Sequence, residues 1–127
     1  MTALKILIVE DSPTALYITG QALTSEGHEV IRATDGQEAV RIAVDLQPDL
    51  ILLDVILPGL NGFQVCRAIK TTSETATIPV IMITSKTRES DRQWGLEQGA
   101  DAYLMKPYDA SDLLEVVSRF AAPSIES

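Results

Sequence analysis

Leu50-Ile51-Leu52-Leu53 sets four large aliphatic residues in a row without alternation, and the run ends on a lone carboxylate, Asp54, with Pro58-Gly59 a few residues on. Such a run reads as a short strand buried on both faces, as in a parallel sheet covered by helices. That requirement excludes most architectures open to a chain of this size. An acid at the end of so apolar a strand is costly unless something neutralises or uses it. In open α/β sheets the carboxyl edge of the strands is where ligands bind.

The same grammar recurs along the 127 residues. Ile6-Leu7-Ile8-Val9 is a second doubly buried strand. Glu10-Asp11-Ser12-Pro13 follows it and predicts a helix from about Pro13 to Glu26, stopped by Gly27. Glu29 to Ala33 is a more polar strand of edge type, and His28 before it reads as an ordinary loop residue. Asp35-Gly36 opens a helix with Ala39, Ile42, Ala43 and Leu46 at i, i+3, i+4, i+7. A third helix holds Val65, Cys66 and Ile69 and ends near Lys70, with Cys66 read as packing. Pro79 to Ile83 is the fourth strand, with Thr84 at its carboxyl end. Lys86 to Gln98 is weakly helical, with Trp94 and Leu96 as its large apolar anchors. Ala102 to Met105 is the fifth strand, ending in Lys106-Pro107. A last helix from about Asp109 carries Leu113, Val116, Val117 and Phe120 on one face. Five strands alternating with five helices predict an α/β, doubly wound parallel sheet with right-handed crossovers.

Eighteen acidic against ten basic residues give a net charge of -8 and a pI of about 4.5. Such a surface repels nucleic acid and anionic membranes. One cysteine cannot form an internal disulfide, which fits a reducing compartment. The apolar run Leu4 to Val9 is broken by Lys5 and too short for a signal peptide or a membrane span. The expectation is a cytoplasmic domain over residues 1–122, followed by a short tail at 123–127.

In a parallel sheet all strand carboxyl ends share one edge. Glu10 and Asp11, Asp54, Thr84 and Lys106 therefore converge from four segments. Two like charges about 4 Å apart cost roughly 4 kcal/mol at an effective dielectric near 20, and one lysine cannot fully offset three acids. Oxygen ligands in this number suit Mg2+. A Mg2+ site beside a lysine and a hydroxyl is what phosphoryl transfer needs, with one carboxylate free to act as nucleophile. Asp54 is the candidate because it ends the central buried strand, whereas Glu10 and Asp11 are better placed as metal ligands.

The strings ILIVEDSP, PDLILLDVILPGLNGF, IPVIMITS and GADAYLMKP resemble the signature segments of the receiver domain of two-component response regulators. The likeness runs from Leu4 to about Ala122. It implies a flavodoxin-like sheet of strand order 2-1-3-4-5 and a phosphorylation switch, not an enzyme acting on an outside substrate. Asp54 would be the phosphoacceptor. Asp11 would ligate Mg2+ directly, Glu10 would act through water, and the backbone carbonyl of Ile56 would complete the set. Thr84 and Lys106 would contact the phosphoryl group, the Lys106-Pro107 bond would be cis, and Tyr103 would swing between outward and inward rotamers. Glu10 stands where many relatives have Asp. The implied partners are a sensor histidine kinase and a downstream protein at the face formed by 86–120, with no nucleic acid, no membrane insertion and a monomeric state. PTALYITGQALTSEGHEV and RQWGLEQGADAYLMKP are most similar to stand-alone regulators of twitching motility and chemotaxis-like pathways. No effector domain is expected to be attached.

Three other readings compete. A phosphatase resembling haloacid dehalogenases needs a second Asp two residues after the nucleophile, where this chain has Ile56. A flavin carrier needs a donor-rich phosphate loop after the first strand, where Glu10-Asp11 would repel phosphate. A phosphorylation-independent receiver-like adaptor would not need so complete a site.

Overall fold

In the computed structural model, which describes residues 3–84, 93 and 96–121, five strands form one parallel sheet in the order β2-β1-β3-β4-β5. The strands are β1 (Lys5–Val9), β2 (Glu29–Ala33), β3 (Leu50–Asp54), β4 (Val80–Thr84) and β5 (Ala102–Met105). Among the described residues the helices are α1 (Pro13–Thr24), α2 (Gly36–Leu46), α3 (Gly62–Thr71) and α4 (Ala110–Ala121). The segment expected to be helical from Lys86 to Gln98, including Trp94, lies mostly outside them.

Side chains alternate across the sheet with period 2. Leu7, Val9, Ile51, Leu53 and Met82 meet α2 and α3 on one face; Ile6, Ile8, Leu50, Leu52, Ile81 and Ile83 meet α1 and α4 on the other. Every residue of β3 is buried, which is why its sequence shows no alternation. Burying its four aliphatic side chains contributes on the order of 10 kcal/mol gross, enough to carry the cost of placing Asp54 at its end. The polar strand β2 lies at an edge, as its composition predicts.

Three expectations need correction. α1 ends at Thr24, not Glu26: the amides of Gly27 and His28 turn back to the carbonyls of Thr24 and Leu23, and Gly27 takes φ +90° to redirect the chain. His28 is not an ordinary loop residue. It is buried, and its Nδ1 accepts the Leu4 N–H at 3.0 Å, satisfying an amide at the start of β1. Leu46 keeps the apolar spacing of α2 but is exposed at the helix's last position, where its carbonyl accepts from Lys5 Nζ. Cys66 is buried packing, its thiol pushed up to about 11 by that burial.

Candidate functional site

β1 carries the chain to the carboxyl edge, and the Glu10 amide still donates to Ala33 O at 3.0 Å. Ser12 then caps α1, accepting from the Ala15 amide, with Pro13 in the first turn. Glu10 and Asp11 are thereby fixed at the corner between strand and helix. Glu10 turns inward, and its Oε2 accepts the Ser12 N–H at 3.0 Å. Asp54 is buried, and its Oδ1 accepts the Ile56 N–H at 3.2 Å. The β3–α3 connection folds tightly over this point: Gly62 N–H donates to Val55 O at 2.8 Å, and a methyl on Gly62 would overlap the Asp54 carbonyl.

β5 delivers the counter-charge. Lys106 Nζ donates to Asp54 Oδ2 at 2.9 Å and to Glu10 Oε1 at 3.2 Å. Burial works against the lysine's charge, but the Asp54 and Glu10 carboxylates outweigh it and hold its pKa above the ordinary value. Burial raises the Glu10 pKa, helped by the neighbouring Asp54 and only partly offset by the Ser12 amide and Lys106. One ammonium thus bridges two acids without neutralising both.

Asp11 is exposed, yet one oxygen from each of Glu10, Asp11 and Asp54 lies within 4.8 Å of the others. This donor set, hard oxygens on three carboxylates that share one ammonium among the described residues, fits a divalent ion such as Mg2+. Asp11 also lines an open groove of about 430 Å³ with Thr34, Asp35 and Pro58, so this corner of the cluster is reachable from solvent.

Residues 6–118 match the response regulator receiver domain. The chain belongs to that family. This receiver domain is 44% identical to Protein PilH of Pseudomonas aeruginosa over 118 residues, covering 93% of this chain and 98% of PilH. It is 41% identical to the DNA-binding dual master transcriptional regulator RpaA of Synechocystis, but spans only 46% of that protein's length. Among solved structures it resembles the chemotaxis response regulator CheY4 of Vibrio cholerae, with TM-score 0.89, 33% identity, and 94% and 99% of the two chains covered. It also resembles the receiver domain of sensor histidine kinase PA1611 from P. aeruginosa, solved with a magnesium ion in its active-site cleft. There the TM-score is 0.87 and the identity 33%, covering 94% and 98% of the two chains.

Of the residues singled out from sequence, the receiver fold brings Glu10, Asp11, Asp54 and Lys106 together. Thr84 ends β4 opposite Met105 in register; its side chain lies outside the described residues. Ile56 contributes its N–H to Asp54 and leaves its side chain 59% exposed. The Lys106-Pro107 peptide is cis. Tyr103 is half-buried against the core shared with α2 and α3, its hydroxyl shielded from solvent. Two contacts leave no mark in the sequence: the Ser12 amide, which orients Glu10, and a hydroxyl pair between Thr19 and Tyr108 that joins α1 to the Lys106 loop. Ser12 was legible as a cap but not as a donor to the acid two residues before it. No helix among the described residues is long and apolar enough to cross a membrane.

Proposed function

We propose that this protein is a phosphorylation-dependent response regulator in which Asp54 accepts a phosphoryl group from a sensor histidine kinase or a small phosphodonor. The reading rests on one observation above the rest: a buried carboxylate on the central strand, 2.9 Å from Lys106 Nζ and inside a cluster of three acids. An Asp54 oxygen forms the bond to phosphorus as the donor's bond to phosphorus breaks, and that electron pair leaves with the donor. Glu10, Asp11, Asp54 and the Ile56 carbonyl would hold Mg2+, which would supply positive charge to neutralise the phosphoryl oxygens. Lys106, already on Asp54 Oδ2, follows the incoming oxygens and gives up Glu10 or shares it. The Thr84 hydroxyl takes another phosphoryl oxygen, and Tyr103 settles inward in response. The face formed by 86–120 then changes shape and selects a downstream protein, a population shift in a two-state element.

The protein promotes only its own phosphorylation and dephosphorylation, and works as a cytoplasmic monomer. Motility or chemotaxis-like signalling is the favoured pathway, supported by the full-length likeness to PilH and by the CheY4 fold match. Acetyl phosphate with Mg2+ should add one phosphoryl group to the intact protein, seen by mass spectrometry, and none to Asp54→Asn. Equal labelling of that variant would overturn the reading.

A further inference from the structure

We propose that Thr19 and Tyr108 are positioning residues for Lys106, tying α1 to the loop that presents the ammonium to Asp54. The inference rests on the functional reading above. Thr19 Oγ1 and Tyr108 Oη lie 2.9 Å apart across 89 residues of sequence. Thr19 is buried on α1, and Tyr108 is half-buried against the core that α1 and α4 share. A buried hydroxyl is costly without a partner, so Tyr108 supplies what Thr19 needs.

Tyr108 is two residues beyond Lys106, and the Pro107 ring fixes the φ between them, leaving few torsions to absorb a shift. The rest of the loop is also held. Met105 pairs with Thr84 in register. Asp109 and Asp112 cap α4 reciprocally, with amide-to-carboxylate distances of 2.9 and 3.2 Å. Those anchors fix the loop to the sheet and to α4; the hydroxyl pair fixes it to α1.

α1 is also capped by Ser12, whose N–H holds Glu10 at 3.0 Å, and Glu10 meets Lys106 at 3.2 Å. The contacts close a ring: Glu10 to Ser12, along α1 to Thr19, across to Tyr108, back to Lys106 and on to Glu10. A shift of α1 therefore reaches both charges at once. The pair sits in a groove of about 490 Å³ lined also by Ala15, Ile18, Ala22 and Leu113, apolar surroundings in which a hydroxyl pair holds its geometry.

Thr19→Val and Tyr108→Phe each remove the bond with little change of shape, and Thr19→Ser restores the hydroxyl. Two readouts decide: the initial rate of acetyl-phosphate labelling of Asp54 at saturating Mg2+, and the Lys106 Nζ resonance in metal-free protein. Each of the first two variants should slow labelling roughly 5–10-fold, since small misplacements of a reacting group are costly in rate. The double variant should lose no more than either single, because both remove one interaction. Thr19→Ser should stay near wild type, and the Lys106 resonance should move only where the bond is gone. Wild-type rates with an unmoved Lys106 resonance, even with a lowered melting point, would overturn the proposal, as would losses that multiply in the double variant. Absence of labelling in wild type would instead overturn the functional reading, and the resonance would still decide the contact between α1 and the Lys106 loop.

Discussion

The Lys106 ammonium lies 2.9 Å from Oδ2 of Asp54 and reaches Glu10 at 3.2 Å from the same nitrogen. Removing it leaves two largely buried carboxylates with no cation between them among the described residues. Breaking a fully buried pair costs about 3–5 kcal/mol, and partial exposure of the lysine reduces that. Lys106→Met should therefore lower stability by about 1–2 kcal/mol at pH 7 in EDTA. Urea unfolding checks this, and a variant as stable as wild type would contradict the bridging role.

Glu10 has the opposite sign. Its folded pKa is raised from the ordinary 4.5, chiefly by burial, so the folded state binds that proton more tightly than the unfolded chain does. The stabilisation is fully present below the unfolded pKa and is lost as pH rises through the folded one. At pH 7 the ionised Glu10 is a net cost. Glu10→Gln should be more stable than wild type by about 1 kcal/mol at pH 7 in EDTA, and the advantage should shrink as pH falls toward the ordinary value. Thermal melts at several pH values test it.

Three carboxylates with oxygens within 4.8 Å of one another share the Lys106 ammonium, which leaves part of their repulsion for a metal ion to relieve. Adding Mg2+ should raise the melting temperature in proportion to the logarithm of its concentration, with about 2.7 kcal/mol gained at a hundredfold excess over Kd. EDTA should reverse the gain. Asp11→Asn should abolish most of it while leaving the metal-free melt at or slightly above wild type, because it relieves part of that repulsion and Asp11 is exposed. A Mg2+ response that survives in this variant would remove Asp11 from the ligand set.

Two glycines of the β3–α3 connection should behave differently. A methyl on Gly62 overlaps the backbone of Asp54 and Val55, whereas one on Gly59 meets nothing within 4 Å and faces only its φ of +74°. Gly62→Ala should cost about 2 kcal/mol or more, as overpacking against backbone does. Gly59→Ala should cost about 1 kcal/mol. Denaturant midpoints rank the two.

What could be read in the sequence was whatever leaves a periodic or edge signature. β3 announced itself because a strand buried on both faces cannot alternate. Glu10, Asp11, Asp54 and Lys106 could be placed together because parallel strands end on one edge, whatever the details of packing. His28 could not be read: its buried contact with Leu4 is a side-chain bond between segments 24 residues apart. The Thr19–Tyr108 pair is of the same kind. The end of α1 was legible only to within two residues, because Ser25 and Glu26 belong to the turn that Gly27 completes. Leu46 kept its spacing but is exposed at the last position of α2.

The central claim is that Asp54 is the residue that becomes phosphorylated. Borohydride reduces an aspartyl phosphate to homoserine and leaves a free carboxylate untouched. After treatment with acetyl phosphate and Mg2+, peptide mass mapping should find this conversion at position 54 alone, and none when Mg2+ is withheld. Conversion at Asp11 or Asp49 with position 54 intact, or a phosphoryl group that resists both borohydride and acid, would contradict the account.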